Sequence, residues 1–230
     1  MPHYYPIMLD VRGRAALVVG GDQIATEKAA NLAASGADVT VLSPQFSDEL
    51  RALAQQHKVR LKQKAYERGD LEGAFVVVAA TTYDEPLTEA IWQEAQERNQ
   101  LLNVVDVPAR CNFILPSILR RDQLTIAVST EGTSPGLAKR IRQQLEKLFP
   151  PVYGLYLRLA ALVRSYIRQQ GMSYEQRDAF FGDFYDSQIL HYLASGNEEQ
   201  ALAEIQQLLK NYHIDLPAEW LRAELGKARG

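Results

Sequence analysis

The sequence predicts an α/β fold built on a doubly wound parallel sheet, followed by a small α+β region and a helical C-terminal part. Three observations carry this. Short apolar runs alternate with helical patterns over the first hundred residues, as βαβ units do. The run Phe75 to Ala80 is continuously apolar, as a strand covered on both faces must be. Beyond the Pro150-Pro151 pair the pattern is helical throughout.

The elements follow in order. Ala15 to Val19 is the first strand, and Ala25 to Ser35 the helix after it, stopped by Gly36 at a favourable C′ place. Val39 to Leu42 is the second strand, closed by Ser43 and Pro44. A helix over Asp48 to Gln56, a strand near Val59 to Gln63, the strand Phe75 to Ala80, a helix over Glu85 to Arg98 and a strand Leu102 to Val105 complete five parallel strands with intervening helices. After Pro108 the pattern changes: Phe113 to Leu119 and Leu124 to Ser129 read as two strands around a polar turn, Arg120 to Gln123. Pro135 sits at a first helical turn, and Leu137, Ile141, Leu145 and Leu148 follow at helical spacing. Leu155, Leu159, Leu162 and Tyr166 make one later stripe, and Leu202, Ile205 and Leu209 another. These divide the chain into 1–112, 113–149 and 150–230.

With 230 residues, 47% of them hydrophobic and 23% charged, the chain is long enough for a real core and reads as an ordinary globular protein. Its single cysteine, Cys111, excludes an intrachain disulfide scaffold and cysteine-ligated zinc or iron-sulfur sites, and it fits a reducing compartment. His3, His57, His191 and His213 are scattered with no HxxxH pair, so no resident metal is expected. Phe180, Phe181, Phe184 and Tyr185 read as helix-packing core. The first apolar run, five residues from Ala15, is far too short for a membrane span, and no secretory pattern precedes it. A cytoplasmic protein that binds neither membrane nor nucleic acid is expected. The net charge of −3 conceals a pattern: residues 1–100 carry 10 basic and 14 acidic side chains, 101–150 carry 7 and 4, and 151–230 carry 8 and 10. The middle is the basic part.

Three motifs carry chemistry. The first is Gly20-Gly21-Asp22-Gln23-Ile24-Ala25 between the first strand and helix. In a dinucleotide-binding turn one glycine makes the bend, a second lets backbone amides approach the pyrophosphate, and a third small residue lets helix and strand pack closely. Gly20 and Ala25 fill the first and third places, but Asp22 brings a Cβ and a negative charge to the second. A plain βα turn without nucleotide is the alternative. No carboxylate stands at the end of the second strand to hold a ribose; Ser43 or Gln45 could do so, and the absence of an arginine before Arg51 leans toward NAD over NADP. The second motif is Asn103-Val104-Val105-Asp106-Val107-Pro108 at the carboxyl end of a strand, where ligands of open α/β sheets sit. Asp106 could act there as a general base, or simply cap a turn. The third is Ser129-Thr130-Glu131-Gly132-Thr133-Ser134-Pro135 before a basic helix. It suits an anion, except for Glu131, and otherwise reads as a solvated capping loop.

The Gly-Gly turn with Lys28 after it, the Asn103 to Pro108 segment and the stretch Phe113 to Arg140 together resemble the precorrin-2 dehydrogenase family. That family includes stand-alone proteins and the N-terminal module of siroheme synthases. The resemblance implies a Rossmann-like domain and NAD-dependent oxidation of precorrin-2 to sirohydrochlorin, in some members followed by iron insertion. It assigns Asp106 as the catalytic carboxylate. It places cofactor contacts at Gly21, Asp22, Gln23, Ile24, Pro44, Gln45, Thr81, Thr82 and Val104, to which the reading of the turn adds Gly20 and that of the second strand's end Ser43. It also implies a homodimer whose 113–148 region crosses to the partner, with the tetrapyrrole substrate in the cleft so formed. Arg110, Ser129, Thr130, Thr133, Ser134, Lys139 and Arg140, with Arg120, Arg121 and Arg142 near them, are the residues expected to meet its carboxylates. Where the family has glycine this chain has Asp22 and Glu131, and Glu27 stands where arginine is common. Those changes predict weaker NAD binding by roughly one to two decades. A tetrapyrrole carrier or iron chelatase without efficient dehydrogenation is the alternative from the binding class, and an unrelated nucleotide-sensing regulator is a third.

Overall fold

The computed structural model describes residues 3–81 and 84–227, which form two units. The first runs to Leu115 and takes in Glu131–Thr133; the second comprises Pro116–Thr130 and the chain from Ser134 onward.

In the first unit β1 (Ala15–Val19), β2 (Asp38–Ser43), β3 (Arg60–Gln63), β4 (Val76–Ala79) and β5 (Leu101–Val104) form one parallel sheet in the order β3-β2-β1-β4-β5. The chain steps outward from β1 to β3, then returns to the other side of β1, so the order reverses between β1 and β4. Strand side chains alternate between two cores. Ala16, Val18, Val39, Val41, Val76 and Val78 pack with Ala25 and Ala29 of α1 (Gln23–Ala34) and Leu50 of α2 (Asp48–Gln55). Leu17, Val19, Leu42, Val77, Ala79, Leu102 and Val104 pack with Ile91 and Ala95 of α3 (Glu85–Glu97) and with Leu71. Two apolar faces explain why β4 shows no polar alternation. Helix α1 begins at Gln23, two residues earlier than its periodicity indicates, because Asp22 caps it. It stops where expected, with Gly36 at φ +84°.

Two buried carboxylates pin the loop before β4. Glu94, 1% exposed, accepts from the Tyr66 hydroxyl at 2.5 Å, the Gly69 amide at 2.8 Å and Arg98 Nε at 2.9 Å. The Asp70 carboxylate, 7% exposed, accepts from Lys62 Nζ at 2.7 Å, Lys64 Nζ at 3.0 Å and the Glu67 amide at 2.9 Å. Burial pushes the Asp70 pKa up, but the hydrogen bonds from Lys62, the Glu67 amide and Lys64 together outweigh it and bring it from 3.8 down to about 2. A depressed carboxylate stabilises the fold above its unfolded pKa, and that stability is lost as pH falls through the folded value. Asp70→Asn is therefore expected to remove about 1–2 kcal/mol near neutral pH and nothing below about pH 2. Urea unfolding curves across that range test this; a constant difference at every pH would contradict it.

In the second unit β6 (Ser117–Arg121) and β7 (Leu124–Val128) form an antiparallel hairpin turned at Asp122, φ +57°. Strand β6 starts four residues later than its apolar run. Pro116 can donate no backbone hydrogen bond, and the Phe113 carbonyl is taken by Asn103 Nδ2 at 3.1 Å. Six helices follow among the described residues: α4 (Pro135–Leu148), α5 (Val152–Gln169), α6 (Tyr174–Asp186), α7 (Ile189–Ala194), α8 (Glu198–Asn211) and α9 (Ala218–Lys227). Leu159, Val163, Ile167, Phe180, Phe184, Ile189, Ile205 and Leu209 lie in the core that α5 to α9 share. Phe181 is buried with them, but Tyr185, read as core, is 54% exposed and only flanks the cluster through Phe181 and Phe184. No helix among the described residues is long and apolar enough to cross a membrane.

Candidate active site

The turns after β1, β2, β4 and β5 all open at the carboxyl edge of the parallel sheet. Gly20, at φ +137°, leaves β1 beside β4, where a Cβ would lie 2.6 Å from the Ala80 carbonyl oxygen. A Cβ on Gly21 would lie 1.8 Å from the Gln45 carbonyl oxygen. Both glycines are thus required by contacts within the protein. The Gly21 carbonyl accepts the Ser47 amide at 2.8 Å, and Ser47 in turn caps α2 and shares a 3.0 Å hydroxyl bond with Thr26. The β1–α1 turn is therefore braced against the β2–α2 loop. Its helix N-terminus faces the β1/β4 switch, and helical geometry gives the amides of Gln23 and Ile24 no intrahelical acceptor. The Asp22 carboxylate takes the next amide, Ala25 N, at 2.9 Å. An anion already stands at this helix end.

The other expected cofactor positions divide by what their side chains do. Pro44 and Gln45 are exposed beyond β2. Ser43 is buried, and its hydroxyl accepts the Gln45 amide at 3.4 Å. Thr81 is buried, with its hydroxyl 2.7 Å from that of Thr88 on α3. Ser43 and Thr81 hold loops rather than present hydroxyls, so only their neighbouring backbone lies at the edge. Val104 is buried at the end of β5, and Thr82 lies outside the described residues. The residues that close the turn, Thr26, Ser47 and Thr88, carry no motif.

Asp106 is exposed and sits just past β5 with φ +62°, in the left-handed region that non-glycine residues seldom adopt. Val105 joins the core on the α1 side and Val107 the core on the α3 side, so the chain crosses over the sheet edge with Asp106 at the crest. A carboxylate held there, at the same sheet edge as a nucleotide-type turn, can accept a proton from a ligand lying over the edge.

Residues expected to meet substrate carboxylates fare differently. Arg110 is committed to Glu85 and Glu89 of α3, each at 2.7 Å. Arg121 Nε donates to the Phe149 carbonyl at 2.8 Å beyond the end of α4, and Arg142 pairs with Glu146. Arg120, Lys139 and Arg140 are exposed. Of the hydroxyls, Thr130 accepts the Ser134 amide at 3.1 Å, Ser134 is the half-buried N-cap residue of α4, and Ser129 and Thr133 are exposed. Glu131, at φ +52°, meets His3 Nδ1 at 3.1 Å and the Tyr4 amide at 3.3 Å. The Cys111 pKa is raised by burial despite the opposing hydrogen bond from the Val104 amide; the Arg110 guanidinium, directed to α3, does not activate it. No group of three or more His, Cys, Asp or Glu among the described residues could hold a metal.

Residues 7–117 match the family described as "Putative NAD(P)-binding", 121–148 "Sirohaem biosynthesis protein central" and 152–209 "Sirohaem synthase dimerisation region". Siroheme synthase of Methylobacillus flagellatus is 40% identical over 204 residues, 89% of this chain and 44% of that protein. Siroheme synthase of Nitrosococcus oceani is 36% identical over 90% of this chain and 44% of its own length. The chain belongs to the siroheme synthase and precorrin-2 dehydrogenase family. It spans less than half the length of these curated relatives. Among solved structures, SirC, a precorrin-2 dehydrogenase, superposes with a TM-score of 0.75 at 29% identity, covering 89% of this chain and all of SirC. Family membership accounts for the presence of the doubly wound sheet, of the hairpin and helix beyond it, and of the helical C-terminal part.

Proposed function

We propose that this chain oxidises precorrin-2 to sirohydrochlorin with NAD, acting as a homodimer in siroheme biosynthesis. The observation that carries the reading is the placement of Asp106 at the crest of the sheet edge that also bears the glycine turn, in a chain that aligns with the whole of a precorrin-2 dehydrogenase. Glycine backbone at 20 and 21 and the amides of Gln23 and Ile24 fit a pyrophosphate, and Pro44 and Gln45 flank the adenosine side. NAD rather than NADP is favoured because no arginine stands between Gln45 and Arg51 to accept a 2′-phosphate, and the first turn of α2 there carries Asp48 and Glu49. When bound, the nicotinamide supplies the hydride acceptor. Asp106 would take the proton that the macrocycle loses, which balances the hydride that bound NAD would accept. Exposed Arg120, Lys139 and Arg140, with the Ser129 to Ser134 loop, serve the substrate carboxylates. The match at 152–209 supports pairing through the helical part, and the unpaired Cys111 supports a reducing, cytoplasmic setting. Anaerobic incubation with precorrin-2 and NAD should yield sirohydrochlorin and NADH in equal amounts; no NADH would overturn the reading.

A second reading, a tetrapyrrole carrier or chelatase without efficient dehydrogenation, draws on one observation: the Asp22 carboxylate occupies the α1 N-terminus. Glycine is itself an acceptable cap, so Asp22→Gly should cost the fold only a few tenths of a kcal/mol. Removing the like charge should tighten NAD binding about tenfold. Calorimetry decides: a wild-type chain that binds no NAD at millimolar concentration would favour the second reading.

A further inference from the structure

We propose that Asn112 is the positioning residue for Asp106, closing the loop that carries it by standing in for one residue of a sixth strand. The inference rests on the assignment of Asp106 made above. Strand β5 is an edge of the sheet, so its outer amides and carbonyls lack a strand partner. Asn112 satisfies both outer groups of Leu102 and, just before the strand, the Gln100 carbonyl. Its backbone amide donates to the Leu102 carbonyl at 3.0 Å, its Oδ1 accepts the Leu102 amide at 2.8 Å, and its Nδ2 donates to the Gln100 carbonyl at 2.7 Å. A carboxylate would lose the donor and an aliphatic side chain both groups, so the primary amide is what this edge selects.

The neck so formed joins Leu102 to Asn112, and Asp106 lies midway round the loop between them. Inside the neck the Cys111 thiol lies 3.2 Å from the Val104 amide and carbonyl and 3.4 Å from the Val107 carbonyl. On the far side the short 3₁₀ turn Pro108–Arg110 is tied to α3 through Glu85 and Glu89. Asp106 therefore keeps its left-handed backbone because both ends of its loop are fixed. A carboxylate on a slack loop would wander by more than the ångström that separates productive from unproductive proton transfer.

The test compares Asn112→Ala, Asp106→Asn and the double variant of the full chain, measuring kcat for precorrin-2 oxidation, NAD affinity and thermal midpoint. Asn112→Ala should lower kcat about 10- to 100-fold while NAD affinity stays within about twofold. In the Asp106→Asn background the same change should cost nothing further, since its effect runs through that carboxylate. A purely structural role would instead lower NAD affinity and kcat together, or add its loss to that of Asp106→Asn, and either result overturns the proposal. Should Asn112→Ala fail to fold, Cys111→Ala removes the inner contacts and leaves the neck closed. The same split is expected from it, at about fivefold in kcat. Unchanged kcat in Asp106→Asn would overturn the base assignment and this proposal with it. A reduced kcat there with wild-type kcat in the Asn112 variant would overturn this proposal alone.

Discussion

Asp106→Asn is expected to lower kcat for sirohydrochlorin formation by about 10²- to 10⁴-fold, the range that a positioned general base contributes. Asparagine is the informative replacement because of the backbone. At φ +62° asparagine is as well tolerated as aspartate, whereas alanine adds left-handed strain of about 1 kcal/mol and confounds the loss of the carboxylate with a moved loop. The side chain is exposed, its neighbours Val105 and Val107 stay anchored in their separate cores, and the glycine turn lies on other strands. NAD affinity should therefore stay within about twofold, and the thermal midpoint should barely move. Steady-state kinetics under anaerobic conditions, paired with calorimetry for NAD, separate the outcomes. Wild-type turnover would remove Asp106 from the chemistry, while a joint loss of NAD binding would mean that the residue shapes the turn.

The parts of this molecule legible in its sequence are those where one residue type answers one physical demand. Apolar runs fix the strands because a sheet covered on both faces tolerates little else, and Gly36 and Pro135 mark helix ends because backbone conformation excludes most alternatives there. The place of Asp106 is readable because a strand pattern ends just before it, and it does sit just past β5 at the carboxyl edge of the sheet. What escapes is pairing between residues distant in sequence. Arg110 reads as a substrate ligand until Glu85 and Glu89 are seen to hold it, 25 and 21 positions earlier. Thr81 and Ser43 read as cofactor contacts, yet their hydroxyls turn inward to Thr88 and to the Gln45 amide. Asn112 gives no signal, because an asparagine side chain aligned with a strand edge has no spacing rule. Local rules name an element and its ends; which polar group a side chain finally meets is decided by tertiary packing.

Gly21→Ala should be among the most damaging single substitutions in the chain, and the comparison with Gly73→Ala shows why. Gly73 has φ +77°, but a Cβ added there would meet nothing within 4 Å, so alanine costs only left-handed strain, about 1 kcal/mol. At Gly21 the methyl would sit 1.8 Å from the Gln45 carbonyl oxygen, a backbone atom that no rotamer change can move away. Relief requires the β1–α1 turn and the β2–α2 loop to separate, which breaks the Ser47 amide bond to the Gly21 carbonyl and slackens the α2 cap with its Thr26 contact. One lost backbone bond, one weakened cap and a displaced loop together amount to about 3–5 kcal/mol, enough to lower the thermal midpoint by several degrees or more. NAD affinity should fall with stability, since the surfaces forced apart are those proposed to hold its pyrophosphate and adenosine ends. Differential scanning calorimetry with and without NAD distinguishes this from a glycine kept only for the cofactor. In that case the apo protein would keep its wild-type midpoint and lose only the shift that NAD produces, and the 1.8 Å approach would have to be relieved without breaking the brace.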